Sequence, residues 1–442
     1  MKLVEKKYFL PFIVITSLFA LWGFANDITN PMVAAFQTLM ELPAAKASLI
    51  QFAFYGGYAT MAVPAALFIR RFSYKKGILL GLALYAIGAF LFIPAAARQS
   101  FTFFCFSLYI LTFGLAFLET TASPFILSLG AKENATRRLN LSQAFNPMGS
   151  LAGMAVASMI VLPNLWSDKR DAVGNTIFPM LSEAEKADIR LHDFAEIRDP
   201  YVVLGIVVLV MFVIIALLVK VPNTNLTNDT NNSSDSCNSC SKETSDSRSA
   251  GATLKRLWKN KVYREGVIAQ VFYVAAQIMV WTFIIQYADK LGISKATAQN
   301  YNIAAMCLFL CGRFLSTWLM KYTDGRKLLT LFGVCAALCS LGAVLIVGKA
   351  GLFCLVGISL FMSLMFPTIY GTALEKVSLG DASLGAAFLV MAIVGGALMP
   401  PLQGAIIDCG TIMGHPAVNV SYSLPLLCFI VVAIYGLRAR KI

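Results

Sequence analysis

Charge is the scarce commodity in this chain. Only 13% of its 442 residues are Asp, Glu, Lys or Arg, while 58% are apolar. A soluble domain carries about 25% charged residues. A globule of this length could not hide so much apolar surface, because most of any protein's skin must face water. Histidine is scarcer still: His192 and His415 are the only two, and both fall outside the long apolar runs. No HExxH, GxSxG or GxxxxGKS/T motif is present either, so the common hydrolytic and nucleotide-cradling sites are missing and an enzyme is not expected. The ten cysteines do not read as a disulfide framework. Most lie inside apolar runs, where thiols pack as small hydrophobes. Cys237 and Cys240 form a lone CxxC with no second ligand pair, so no metal site is expected.

What the chain has instead is long apolar runs, near 8–36, 47–69, 77–97, 101–130, 139–163, 200–219, 263–288, 297–320, 327–347, 351–374, 383–407 and 418–437. Each reaches or approaches the roughly 20 residues that cross a bilayer. None shows the alternating pattern of a barrel strand. The reading is an all-α integral membrane protein with twelve transmembrane helices. The basic N-terminus resembles a signal peptide, but the run after it is too long and lacks a small-residue cleavage site, so it reads as the first span.

The net charge of +13 would suggest nucleic acid in a soluble protein. Here most Lys and Arg fall in alternate loops, on the side that holds both chain ends. Positive charge marks the cytoplasmic face, so both termini are expected there. The charge is then topology, and no nucleic-acid partner is expected.

Residues 223–251 are rich in Asn, Ser, Thr and Asp and cannot bury a core, which predicts a disordered stretch. It divides the chain into an N-terminal half (1–220), a cytoplasmic linker (221–260) and a C-terminal half (261–442). Short basic turns repeat between the second and third helix of each half, Arg70–Gly77 and Lys321–Lys327. Two pseudo-symmetric six-helix halves joined this way are the architecture of a major facilitator transporter. The segment 164–199 reads as a surface loop with a helical stretch over 182–194 and no assigned chemistry.

Ionisable groups at membrane depth are costly and need a reason. Asp27, Glu119 and Arg313 are the candidates. Thr16, Gly23, Asp27 and Asn30 share one side of the first helix at 100° per residue. Thr112, Glu119 and Ser123 share a side of the fourth. These acids either cap backbone and pair with a cation, or form a proton or substrate site in a wet cavity; the second reading is preferred. The fifth helix offers Asn140, Gln143 and Asn146, then Gly149 and Gly153, a small-xxx-small pair that admits a close neighbour. Asn140 near the helix end suits a cap, which leaves Gln143 and Asn146 as the binding candidates.

In the seventh helix Gln270, Tyr273, Gln277 and Trp281 form one stripe. Amides serve hydroxyl groups as donor and acceptor, and ring faces pack on the C–H patch of a pyranose. The stripe therefore suits a sugar, although an aromatic helix contact has the same pattern. Asn300 and Tyr301 in the eighth helix could extend this surface. Arg313 reads as a gating or structural residue.

Seven segments together are similar to the fucose–galactose–glucose:proton symporter family. They are QFAFYGGY (Gln51–Tyr58), Phe72–Gly77, LETTASPF (Leu118–Phe125), RLNLSQAFN (Arg138–Asn146), Tyr273–Trp281, Gly312-Arg313-Phe314 and Phe366-Pro367-Thr368. The resemblance implies alternating-access, proton-coupled uptake of a hexose or 6-deoxyhexose such as L-fucose, galactose or glucose. It also implies a multi-pass protein of the bacterial inner membrane, with no cofactor and no obligate protein partner besides the bilayer. The family's coupling carboxylate matches Glu119, and its polar pair matches Gln143 and Asn146. Its first-helix aspartate falls on Asn30, while an asparagine one turn earlier falls on Asp27. Acid and amide are thus exchanged on one helix face. Asp27 beside Thr29 and Asn30 leaves sodium open as the coupling ion. A sodium-coupled or uncoupled hexose transporter, and a membrane sugar sensor, remain the alternatives.

Overall fold

The computed structural model describes residues 8–128, 135–171, 176–218, 250–320, 322–375, 377, 379–412 and 414–440. The expected disordered stretch lies outside the described residues, up to the helix Ala250–Lys259 that closes the predicted linker. Among the described residues, ten helices are long and apolar enough to cross a membrane. Two more, Leu49–Arg71 and Lys295–Leu319, have 23 and 25 residues and lie where spans 2 and 8 are expected.

Numbered in chain order, span 1 is Phe9–Leu39, span 3 Lys75–Ala97 and span 5 ends at Asn164. Span 4 is Phe101–Ser128 and span 6 is Glu183–Leu218. In the second half, span 7 is Lys261–Asp289, span 9 Gly325–Leu345, span 10 Lys349–Leu374, span 11 ends at Asp408 and span 12 is Ala417–Ala439. Span 1 begins and span 12 ends on one side, called near; the opposite side is called far.

Several spans break where the sequence removes a backbone donor. Span 1 divides into Phe9–Ile28 and Met32–Leu39 around Pro31, which has no N–H to continue the ladder. The Thr29 hydroxyl takes up the Ala25 carbonyl at this break. Span 10 likewise divides into Lys349–Met362 and Met365–Leu374, just before Pro367. In span 5 a π-turn over Ala157–Val161 precedes Pro163.

The same packing scheme occurs in both halves. Span 1 lies on span 5, span 2 and span 3 lie on span 4, and span 3 lies on span 6. Six spans later, span 7 lies on span 11, spans 8 and 9 lie on span 10, and span 9 lies on span 12. The halves meet where span 2 packs on span 11 and span 5 packs on span 8, which are again equivalent pairs.

Details of the predicted basic turns repeat as well. Ser73 accepts from the Lys76 N–H to start span 3, and Asp324 accepts from the Arg326 N–H to start span 9. Lys75 then donates to the Ala216 carbonyl at the end of span 6, and Arg326 to the Ala439 carbonyl at the end of span 12, both at 3.0 Å. Cations are favourable at such helix C-termini.

The helical stretch expected over 182–194 is present and longer than expected. From Glu183 it is the beginning of a single 36-residue helix that becomes span 6. Lys186 and Arg190 on that helix hold Glu41 at the end of span 1. The extra length is helical because Glu183 and Glu185 sit in its first turn, where the free N–H groups favour acids.

Candidate functional site

The polar face of span 1 docks on span 5. Thr16 and Ser142 share a 2.8 Å hydrogen bond. A Cβ on Gly23 would collide with the Asn146 carbonyl, and one on Gly149 with the carbonyl of Ala20. The backbones meet because these two positions have no side chain, the close approach anticipated from Gly149 and Gly153. Farther along, the Asn30 amide donates to Asp27 at 3.0 Å, and Gln51 of span 2 donates to the Asn30 carbonyl oxygen at 3.0 Å. Ser150 and Asn26 also bond to the Asp27 carboxyl. Asp27 and Asn30 are 1% and 0% exposed. They form the centre of a closed polar network joining spans 1, 2 and 5.

Glu119 is in a different setting. It is partly exposed, and its carboxyl has no hydrogen-bond or ion-pair partner among the described residues. Tyr58 of span 2 and Tyr370 of span 10 lie within electrostatic reach of it. Since span 10 belongs to the other half, Glu119 faces the space between the halves. The Tyr58 hydroxyl beside it accepts from the Trp22 indole. Asn146 is also partly exposed, its amide reaching the Phe19 carbonyl at 3.4 Å. The side chains of Gln143, Asn140 and Ser123 lie outside the described residues.

Span 7 is the most enclosed of the ten apolar spans, with 78% of its most apolar stretch buried against 28% for span 6. Its stripe divides between two tasks. Tyr273 donates to the Met362 carbonyl at 3.1 Å and Trp281 to the Ser359 hydroxyl at 3.1 Å, both on span 10. Gln277 between them is partly exposed and makes no hydrogen bond to a described residue. Gln270 is fully buried, with neither end of its amide bonded to a described residue. Sequence periodicity marked the face of span 7 but not that its aromatic members serve the helix contact.

Span 8 separates its two candidates. Asn300 accepts from Ser158 of span 5 at 2.7 Å, across the boundary between the halves. Tyr301 packs edge-on against Phe353, whose 61% exposure puts it on the outer surface. Arg313 stands over the Phe309 ring at 5.0 Å, and Phe309 meets Trp281 edge-on. This stack carries the cation toward the span 7–span 10 contact.

The hydrogen bonds and ion pairs that join the halves among the described residues gather on the far side. Ser158 meets Asn300, Asp168 meets Lys295, Arg170 meets Asp289, and Asp408 meets Ala44 and Ala45. The far side is therefore the closed one in this conformation. Of these residues sequence reasoning singled out Asn300 alone, as part of a sugar-binding surface. The aspartates were passed over, because an aspartate at a helix end is commonplace until its partner from the other half is known. Gln51 was within a segment quoted for the resemblance, yet nothing in one sequence tied it to Asn30.

Glu119, Gln277 and Asn146 are thus partly exposed polar side chains on spans 4, 7 and 5, while Asp27 and Asn30 are buried. This geometry fits a small polyhydroxylated solute and a movable proton. Against known proteins, residues 13–400 match the Major Facilitator Superfamily. The chain is 61% identical over 441 residues to the L-fucose-proton symporter of Haemophilus influenzae, covering 100% of this chain and 99% of that one. It is 35% identical to the L-fucose-proton symporter of Escherichia coli, covering 98% and 93%. The crystal structure of the transporter FucP in the outward conformation superposes with a TM-score of 0.70 at 32% identity, covering 98% and 99%. The chain belongs to the major facilitator superfamily and, within it, to the fucose–galactose–glucose:proton symporter family.

Proposed function

We propose that the protein imports L-fucose, or a closely related hexose, together with a proton by alternating access. The observation that carries the reading is Glu119: a partly exposed carboxyl at membrane depth, facing the other half without a bonding partner among the described residues. An acid so placed has no structural duty to perform and can take up and release a proton. The relatives named L-fucose-proton symporter support both the sugar and the ion.

In the proposed cycle the far side opens and Glu119 takes a proton. Sugar then binds between the halves, with the Gln277 amide giving and accepting hydrogen bonds, and with Asn146 and Gln143 on the facing half. The halves rock, the near side opens, and sugar and proton leave. Tyr273 and Trp281 hold the wall of span 7 in register. Asp27 and Asn30 hold spans 1, 2 and 5 together behind the site, while Arg313 braces span 8.

The near side is assigned to the cytoplasm, since most Lys and Arg belong there. The halves are assigned to 1–220 and 261–442, joined by a cytoplasmic linker over 221–260, in a bacterial inner membrane. A proton is favoured over sodium by the orientation of Asn30, which presents N–H rather than carbonyl oxygen to Asp27. A sodium site needs oxygen ligands, and the Thr29 hydroxyl is engaged with Ala25 and Tyr201.

The test is uptake of labelled L-fucose into proteoliposomes under a proton gradient alone and a sodium gradient alone. The proton gradient should drive accumulation and the sodium gradient should not. Glu119→Gln should abolish accumulation while still exchanging labelled for unlabelled sugar. Accumulation by Glu119→Gln with unchanged pH dependence would remove the assignment. Competition by D-galactose, D-glucose and N-acetylglucosamine ranks the sugars.

A further inference from the structure

Two carboxylates repeat one contact at the two places where the halves meet on the far side. Asp408, the last residue of span 11, accepts the backbone N–H groups of Ala44 at 2.6 Å and Ala45 at 2.9 Å, in the turn leading into span 2. Asp168, in the turn after span 5, accepts the backbone N–H of Lys295 at 3.0 Å, the first residue of span 8. Spans 5 and 11 are equivalent in the repeat, and so are spans 8 and 2. Each half thus sends an acid from the far end of one span onto the beginning of a span in the other half.

The N–H groups at a helix start have no partner within the helix, and a carboxylate there gains charge-assisted hydrogen bonds. The Asp168 arm is reinforced. Its turn is held by Asp193, a fully buried carboxylate on the span 6 helix that accepts the N–H groups of Trp166 and Ser167, each at 2.9 Å. Asp168 also pairs with the Lys295 ammonium, and Arg170 pairs with Asp289 at the end of span 7. The Asp408 arm has no side-chain ion pair among the described residues: beside the two backbone hydrogen bonds it has the close packing of Gly404 on Ala44 and Ala45. When the far side opens, spans 2 and 11 separate, as do spans 5 and 8. The bonds of Asp408, Asp168 and Arg170 to the other half are then exchanged for water.

From this repeated geometry we infer that Asp168 and Asp408 are paired far-side latches, which set the fraction of empty carrier whose far side is closed. The inference rests on the alternating-access reading above. It adds a role for the segment 164–199 and for the end of span 11. Weakening either latch shifts the carrier toward the far-open state, and the two effects reinforce one another because both bias one equilibrium.

A reporter lies beside the latch. Gln286 of span 7 is 6% exposed and neither end of its amide is bonded to a described residue. It lines a far-side cleft of about 310 Å³ with Gln37, Thr38, Glu41, Asp289 and Lys295. In a cysteine-free background, Gln286→Cys should react with a membrane-impermeant maleimide only while the far side is open. Asp408→Ala and Asp168→Ala should each raise the labelling rate, by about tenfold in the double variant. Asp408→Asn should fall between the parent and Asp408→Ala, since its one amide oxygen can replace only one of the two carboxylate oxygens that accept the Ala44 and Ala45 N–H groups. Asp168→Asn should fall between, having lost its ion pair.

An unchanged labelling rate in a folded double alanine variant overturns the inference, as does equal labelling by Asp408→Asn and Asp408→Ala. If the double variant does not fold, the decision passes to Asp408→Asn against Asp408→Ala. Met180→Cys, on the far-side segment and 77% exposed, serves as the orientation control in intact cells. If it fails to label, the proposed orientation is wrong, and the same comparison is read in inside-out vesicles. No sugar or ion gradient is needed, so failure of the fucose or proton assignment leaves the result readable.

Discussion

Asp27 and Glu119 are both acids at membrane depth, yet their surroundings make them different chemical objects. Asp27 is enclosed by Asn30, Ser150 and Asn26, so its carboxyl is engaged in holding three helices together. Glu119 keeps its oxygens open to the inter-half space. Side chains on span 7 divide in the same way. Removing the Ser359 hydroxyl leaves the buried Trp281 N–H without its acceptor, at a cost of about 1–3 kcal/mol. Ser359→Ala should therefore lower the melting temperature in detergent by several degrees and leave the KM for sugar nearly unchanged. Gln277→Ala should do the reverse. Loss of one sugar hydrogen bond of about 1.4 kcal/mol raises KM about tenfold, with the melting temperature unmoved. Equal effects of the two variants on KM would refute the division of labour along the stripe.

At the scale of helices, the contact between spans 1 and 5 depends on absent side chains. A Cβ at Gly149 would enter the Ala20 carbonyl and one at Gly23 the Asn146 carbonyl. Gly149→Ala should push the helices apart at about 1–3 kcal/mol, the usual cost of overpacking. The expected readout is a lower melting temperature together with loss of transport, because Asp27 and Asn146 lie on the two helices that separate. A variant with unaltered melting behaviour would show that the seam has slack.

This contact also shows what a sequence can disclose. The face of span 1 with Thr16, Gly23, Asp27 and Asn30, and the small pair Gly149 and Gly153, follow from the helical period alone. The identity of the neighbour does not, because a polar stripe in a membrane suits a helix contact as well as a water-filled cavity. For the same reason Tyr273 and Trp281 were legible as a stripe with Gln277 but not as its fixed part. Asn300 and Tyr301, adjacent in sequence, lie about 100° apart on the helix. One therefore meets the other half and the other the outer surface.

Over the whole molecule, twelve spans in two six-helix halves were readable from the apolar runs and their repeat. The far-side closure was not, since Asp168 finds Lys295 and Asp408 finds Ala44 only after both halves have folded. The repeat accounts for the arrangement: each pairing of spans in the first half has its equivalent six spans later, and the equivalent contacts between halves follow from that. The reinforcement of one arm departs from symmetry, and the part supplied by Asp193 comes from the length of span 6.

That length has a consequence in the lipid. A 36-residue helix is about 54 Å long, whereas the hydrocarbon core is about 30 Å thick. The far-side portion of the helix is therefore a rigid post outside the bilayer, and Asp193 on it carries the turn bearing Asp168. A bilayer that is too thin or too thick changes the tilt of such a helix, which swings the post and displaces that turn relative to Lys295. Transport in liposomes of graded acyl-chain length should peak at one thickness in the parent protein. In Asp168→Ala the peak should flatten, and an equally sharp optimum there would uncouple post from closure. Lipid thickness would then act on the carrier through one arm of its seal and spare the other, since Asp408 is borne by span 11 and has no post.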